Sequence, residues 1–200
     1  MEHLYWTHTE GDDALNRVSI ENLQRIIELV TGLKVVKQEV DFDAERLRGN
    51  YERYADHIIV RVRASLSPLW KRFTVVKELC HALLDDPSEF SPDGLKTIHD
   101  LVGFRGFTID QVSGETQSER IAEIMALEVI YPLENRRRDA AEIKAKSTSI
   151  IDVAERRGVP PYWVGLATDD DYIANSEKLW DLIAPLDAKF KAEPSSPWKA

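Results

Sequence analysis

Between His57 and Leu84 the apolar residues change period, from alternate positions to one helical face, and this change limits the fold more than any other feature of the chain. His57-Ile58-Ile59-Val60-Arg61-Val62-Arg63 alternates towards its end, as a half-buried strand does. Ser65 to Pro68 reads as a turn with Pro68 as its stop. From about Leu69 the chain turns helical. Phe73, Val76, Leu79, Cys80, Leu83 and Leu84 make one apolar stripe, ended by Asp85-Asp86-Pro87. A strand followed closely by a long amphipathic helix buries both apolar faces when the helix lies on the sheet.

The flanking segments fit that core. Ser19 is placed to cap a helix running to Thr31, with Ile20, Leu23, Ile26, Ile27 and Val30 at helical spacing and Gly32 as its stop. Leu33 to Val40 reads as a strand. Asp41 to Ala55 is charge-rich and reads as a connection or a short helix. Ser118 to Tyr131 is a second strong helix closed by Pro132, and a third helical region spans about Arg137 to Arg157. A short helix is expected from about Asn175 to Ile183. Residues Met1 to Leu15 read as a loose lead-in, Pro87 to Gly94 as a loop, and Leu95 to Gly114 as irregular. The expected class is α+β: a small sheet on the helix at 69–84 and a second helix, with further helices after them. The expected organisation is one domain over 15–135, a helical region over 136–192 packed on it, and a disordered tail over 193–200.

Apolar residues make up 43% of the 200 and charged residues 30%, a globular balance. The net charge of -9 and a pI near 5.1 disfavour contact with phosphate backbones, so no nucleic-acid partner is expected. Arg136-Arg137-Arg138 is the compact basic run, and it reads as a solvated helix start or loop. One cysteine, Cys80, excludes an intramolecular disulfide and suits a reducing compartment. The start Met1-Glu2-His3-Leu4-Tyr5-Trp6 lacks the pattern of a signal peptide, and no apolar run is long enough for a bilayer. A cytoplasmic protein is expected.

Two words carry the chemistry: Lys77-Glu78-Leu79-Cys80-His81 on the striped helix, and Glu119-Arg120-Ile121-Ala122 on the next strong helix. In a zincin, His-Glu-x-x-His places two imidazoles one helical turn apart on one metal ion, with the Glu beside them as general base for the metal-bound water. Here the first histidine position holds Lys77. A lysine at neutral pH is an ammonium without a lone pair, its reference pKa being about 10.4. It is instead placed to pair with Glu119 or Glu78 and to supply the positive charge a metal would give.

With Arg72-Phe73-Thr74 ahead of the first word, and Met125-Ala126 and Val129-Ile130-Tyr131-Pro132 after the second, the chain resembles the ImmA/IrrE family of intracellular metallopeptidases. The resemblance spans about Ser19 to Pro132, and more weakly Ile150 to Leu166. It implies a zincin-like fold with Glu78 as catalytic general base and His81 and Glu119 as zinc ligands. Lys77 stands at the first-ligand position. Two protein ligands and water make a weak site, so zinc is expected to be absent or weakly held.

Other residues offer alternatives. Asp85, one helical turn after His81, is a candidate ligand and equally a polar helix end; His99 is a spare candidate and equally a surface histidine. Cys80 beside His81 has the composition of a nucleophile pair, yet neighbours on a helix point about 100° apart, and a buried cysteine is the better reading. Glu123 and Glu128 read as a solvated helix face. Tyr162 and Trp163 read either as a partner-binding lip or as packing of the later helices. The expected function is a catalytically impaired or inactive metallopeptidase-fold regulator that binds a protein partner. The alternative is an active zinc endopeptidase that cleaves a regulatory protein such as a transcriptional repressor.

Overall fold

The computed structural model describes residues 19–44, 47–84 and 114–177, apart from the side chains of 114–117 and of Arg120. Helix α1 (Ile20–Thr31) begins where the Ser19 side chain accepts a hydrogen bond from the Asn22 N–H. It ends at Gly32, whose φ of 70° is a left-handed conformation that glycine adopts without strain. Strands β1 (Lys34–Val40), β2 (Gly49–Arg53) and β3 (His57–Arg63) form one sheet in the order β1-β3-β2. The outer strands run parallel and antiparallel to β3 respectively. Strand β2 lies inside the segment read from sequence as a connection or short helix. Its five residues, Gly-Asn-Tyr-Glu-Arg, carry no apolar alternation, and pairing with β3 makes it a strand.

Ile58, Val60 and Val62 turn one face of β3 onto helix α2 (Pro68–Leu84), which buries Phe73, Val76, Leu79, Cys80 and Ala82. Pro68 is the first residue of this helix rather than the stop of the turn. Its missing N–H is no loss at a helix start, and its fixed φ already suits the helix. Helix α3 (Gly114–Ile130) packs along α2 and begins four residues before the expected Ser118.

The single helical region expected from Arg137 to Arg157 is two helices, α4 (Leu133–Lys144) and α5 (Ile150–Arg157). Lys146 breaks the path with a φ of 58°, and Ser149 and Asp152 then form a reciprocal capping box that starts α5. A further short helix, α6 (Pro161–Ala167), follows, and residues 170–177 are helical again.

The Arg72-Phe73-Thr74 word joins these later helices to the core. Arg72 donates from Nη1 to the carbonyls of Arg157 at 2.9 Å and Gly158 at 2.8 Å, which closes the C-terminus of α5. Phe73 stacks on Trp163 with ring centroids 4.7 Å apart. Trp163 is therefore a packing residue, while Tyr162 beside it is 64% exposed.

The basic run lies near the start of α4 with Arg137 and Arg138 exposed, but its first residue is not solvated. Arg136 is fully buried, donating from Nη2 to both Glu128 oxygens at 2.5 Å and from Nη1 to Ser176 Oγ at 3.0 Å. This corrects the expectation for Glu128 as well: it is the counter-ion of a buried arginine. Arg137 is exposed and paired with Glu177. Asp139, also buried, accepts from Tyr131 Oη, Arg156 Nη2 and both Nε and Nη2 of Arg157, at 2.8 to 3.0 Å. No helix among the described residues is long and apolar enough to cross a membrane. The expectations for Met1 to Leu15, for the segment from Asp85 to 113 and for the chain beyond 177 lie outside the described residues.

Candidate functional site

The striped face of α2 is buried from Phe73 to Cys80, though not at exposed Leu83, and this turns the positions between its apolar residues towards α3 and β2. Lys77 and His81 stand one turn apart, and Glu78 lies next to Lys77, almost wholly buried. Glu119 approaches from α3. The four residues singled out in the sequence come together. Lys77 Nζ donates to Glu119 Oε2 at 2.7 Å and makes a 3.0 Å ion pair with Glu78 Oε1. His81 Nε2 lies 2.9 Å from the other Glu119 oxygen, Oε1. Glu119 is thus held at both oxygens by two residues of one helix face.

The electrostatics follow from this geometry. Burial favours a neutral amine at Lys77, but the charges of Glu78 and Glu119 outweigh it and hold the ammonium above its ordinary range. Burial likewise pushes the Glu119 carboxyl up, and contact with His81 and Lys77 reverses this, holding it at about 2. The side chain at position 77 is a cation at any physiological pH. Cys80 points into the apolar core, where burial, with Glu78 nearby, pushes its thiol up to about 12. It is a core residue, and a thiolate nucleophile there is disfavoured.

Strand β2 supplies two residues that the sequence reading did not single out. Gly49 sits against α2 so closely that a Cβ there would lie 2.4 Å from Thr74 Cγ2 and 2.8 Å from Glu78 Oε1. Only glycine lets the strand pass over the carboxylate. Two residues on, Tyr51 stacks over His81, with centroids 6.4 Å apart and planes at 25°. The available signal was the lone Gly49 in a charged segment, because an isolated glycine in a strand often marks close backbone approach. Asp85 and His99 lie outside the described residues.

A zinc site of the type the resemblance implies needs three side chains offering lone pairs to one point. Here the ammonium of Lys77 stands where the first donor would be, and it binds the carboxylate that would be the third. His81 Nε2 faces that same carboxylate. As arranged, Lys77 and His81 both face Glu119, and these three do not offer zinc its donor set, although Glu78 Oε1 and His81 Nε2 are buried without a well-formed hydrogen bond. Among the described residues, no trio of His, Cys, Asp or Glu comes together in a metal-ligand cluster.

No family model and no curated protein matches the chain. Among solved structures, it is similar to a Mycobacterium tuberculosis transcriptional regulator, with 19% identity and a TM-score of 0.45. The likeness covers 74% of this chain and 41% of that one, so the chain spans less than half the length of the regulator. A likeness so distant carries no argument about function.

Proposed function

We propose that this chain is a zincin-like, ImmA/IrrE-related domain in which lysine has taken over the charge of the metal, and that it acts in the cytoplasm by binding a protein partner. The observation that carries this reading is the Lys77 ammonium, 2.7 Å from Glu119 and 3.0 Å from Glu78 at the position of the first zinc ligand. A carboxylate pair beside a histidine is costly to bury without a compensating cation. Lysine provides that cation without activating water: it has no open coordination position and no Lewis acidity to lend. The order of the two sequence words supports the family reading, and the joined Arg72-Phe73-Thr74 contacts support retention of the fold after the donor set was lost.

The test is the metal content of the protein purified without chelator and then titrated with zinc, beside the Lys77→His variant. The expected result is no stoichiometric zinc in the natural protein and a gain of zinc binding in the variant. Stoichiometric, tightly held zinc in the natural protein, together with turnover of a peptide substrate, would overturn the proposal in favour of an active endopeptidase.

A further inference from the structure

On the side of the sheet away from β2, strand β1 ends the sheet, with a neighbour on one side only among the described residues. Its outward backbone groups are assigned by Val35, whose N–H donates to Glu28 Oε1 at 3.0 Å and whose carbonyl accepts from Gln24 Nε2 at 3.1 Å. Both bonds run to α1, so Val35 turns its peptide groups away from β3. By the two-residue period of a strand, Lys37 and Glu39 do the same. Helix α1 thus covers the edge at its start, and no described residue pairs with it at Lys37 and Glu39. Beside the open stretch lies a groove of about 210 Å³, with Ile20, Val62 and Val75 among its lining residues. The side chains from Val36 to Glu39 are all exposed.

Open edges invite pairing, and a lysine on an edge turns most strands away. The order Lys37-Gln38-Glu39 makes an exception for itself. When two copies of β1 meet antiparallel about a two-fold axis at Gln38, Lys37 falls opposite Glu39 of the second copy, and Glu39 opposite Lys37. Both residues turn their peptide groups outward, so each such pair exchanges two backbone hydrogen bonds, with the two Gln38 residues as the non-bonded pair between them. Val36 falls opposite Val40 on the other face of the sheet.

Neighbouring registers fail for physical reasons. Centring on Lys37 sets lysine against lysine, and centring on Glu39 sets glutamate against glutamate. Centring on Val36 needs the Val35 groups already taken by Gln24 and Glu28. A shift by one residue puts outward peptide groups opposite inward ones and loses the bonds.

We infer that the β1 edge is a self-association surface, on which a second copy of this chain adds its own β1 to give one continuous sheet across a two-fold axis. The occupant is specified by charge: Glu39, which already meets Lys71 of its own chain at 2.5 Å, gains Lys37 of the second copy, and Lys37 gains Glu39, when the same sequence is added reversed.

The test uses the whole chain and reads mass in solution by sedimentation over a concentration series. The natural protein is expected to form dimers. Lys37→Glu and Glu39→Lys are each expected to weaken self-association on the order of tenfold or more, because each sets like charges opposite one another. Mixed in equal amounts, the two variants are expected to form a heterodimer, since each then meets its complement. Circular dichroism of each variant shows that it is folded. A Gln38→Cys variant adds a geometric reading: a non-bonded antiparallel pair holds its Cα atoms about 4.5 Å apart, within disulfide reach. Mild oxidation should link it as a dimer, while a cysteine at exposed Leu29 should not link. A natural protein that stays monomeric at high concentration, or a dimer indifferent to both charge reversals, overturns the inference.

Discussion

Lys77 Nζ donates to Glu119 Oε2 at 2.7 Å across the gap between α2 and α3, while His81, one turn along from Lys77, meets the other oxygen of the same carboxylate. Two residues of one helix face therefore grip one glutamate of the next helix. The side chains of Lys77 and Glu119 are 16% and 24% exposed, buried enough for their pairing to affect stability.

Removing one member of this pair should cost more than removing both. Lys77→Met keeps the length of the side chain and leaves Glu119 with His81 alone. Urea unfolding at pH 7 is expected to show a loss of roughly 2–4 kcal/mol. The double variant Lys77→Met/Glu119→Leu should lose less, and the cycle isolates the coupling. Additive single effects would refute a direct pairing.

The same carboxylate sets an acid limb. Its pKa of about 2 in the folded chain lies below the ordinary value of 4.5. A depressed carboxylate pKa contributes stability that is present above about 4.5 and is lost as pH falls towards 2. The size is roughly 2–3 kcal/mol. Glu119→Gln lacks this contribution, so the stability gap between it and the natural protein should be full at pH 7 and shrink below pH 4.5. Denaturant midpoints across that range check it; a gap that stays constant speaks against the assignment.

Gly49 should tolerate no side chain. A Cβ at 2.4 Å from Thr74 Cγ2 forces β2 off α2, at an expected cost of about 1–3 kcal/mol for Gly49→Ala. Thr74→Ser removes the crowded methyl and should recover part of the loss in the double variant, read by thermal unfolding. Recovery is partial because Glu78 Oε1 still stands 2.8 Å from the added atom.

Asp139 should be the least replaceable carboxylate of the later helices. It accepts four hydrogen bonds, and Arg157 beneath it is 3% exposed. Asp139→Asn removes the carboxylate that accepts two hydrogen bonds from that buried guanidinium, an expected loss of about 3–5 kcal/mol. A loss below about 1 kcal/mol would mean that the other contacts of Arg157 hold its charge. The Tyr131 hydroxyl, which burial and Asp139 hold above its ordinary range, should titrate at lower pH in the variant.

The helix and strand positions that could be read in advance were those with a strong period and a local stop. Ser19 and Gly32 bracket α1 through contacts within four residues, and the alternation of β3 shows which face is buried. The site residues Lys77, Glu78 and His81 were legible because their spacing places them on one helix, and Glu119 only through the resemblance that the second word carries. Gly49 and Tyr51 were not, since their roles depend on how β2 lies over α2. Arg136 misled for the same reason. Three arginines in a row look solvated until Glu128, eight residues earlier, comes round to meet the first of them.

The sequence by itself determined the period-two strand, the striped helix after it and the placement of an ammonium, Lys77, one helical turn before His81, because these depend on local geometry and the chemistry of single side chains. Tertiary structure alone decided that β2 is a strand and that Arg136 is buried. It also decided that Lys77 and Glu119, 42 residues apart, meet at 2.7 Å. Each of these rests on a contact between distant parts of the chain, and burial sets its strength: in low dielectric a charge must find its partner wherever the fold brings one.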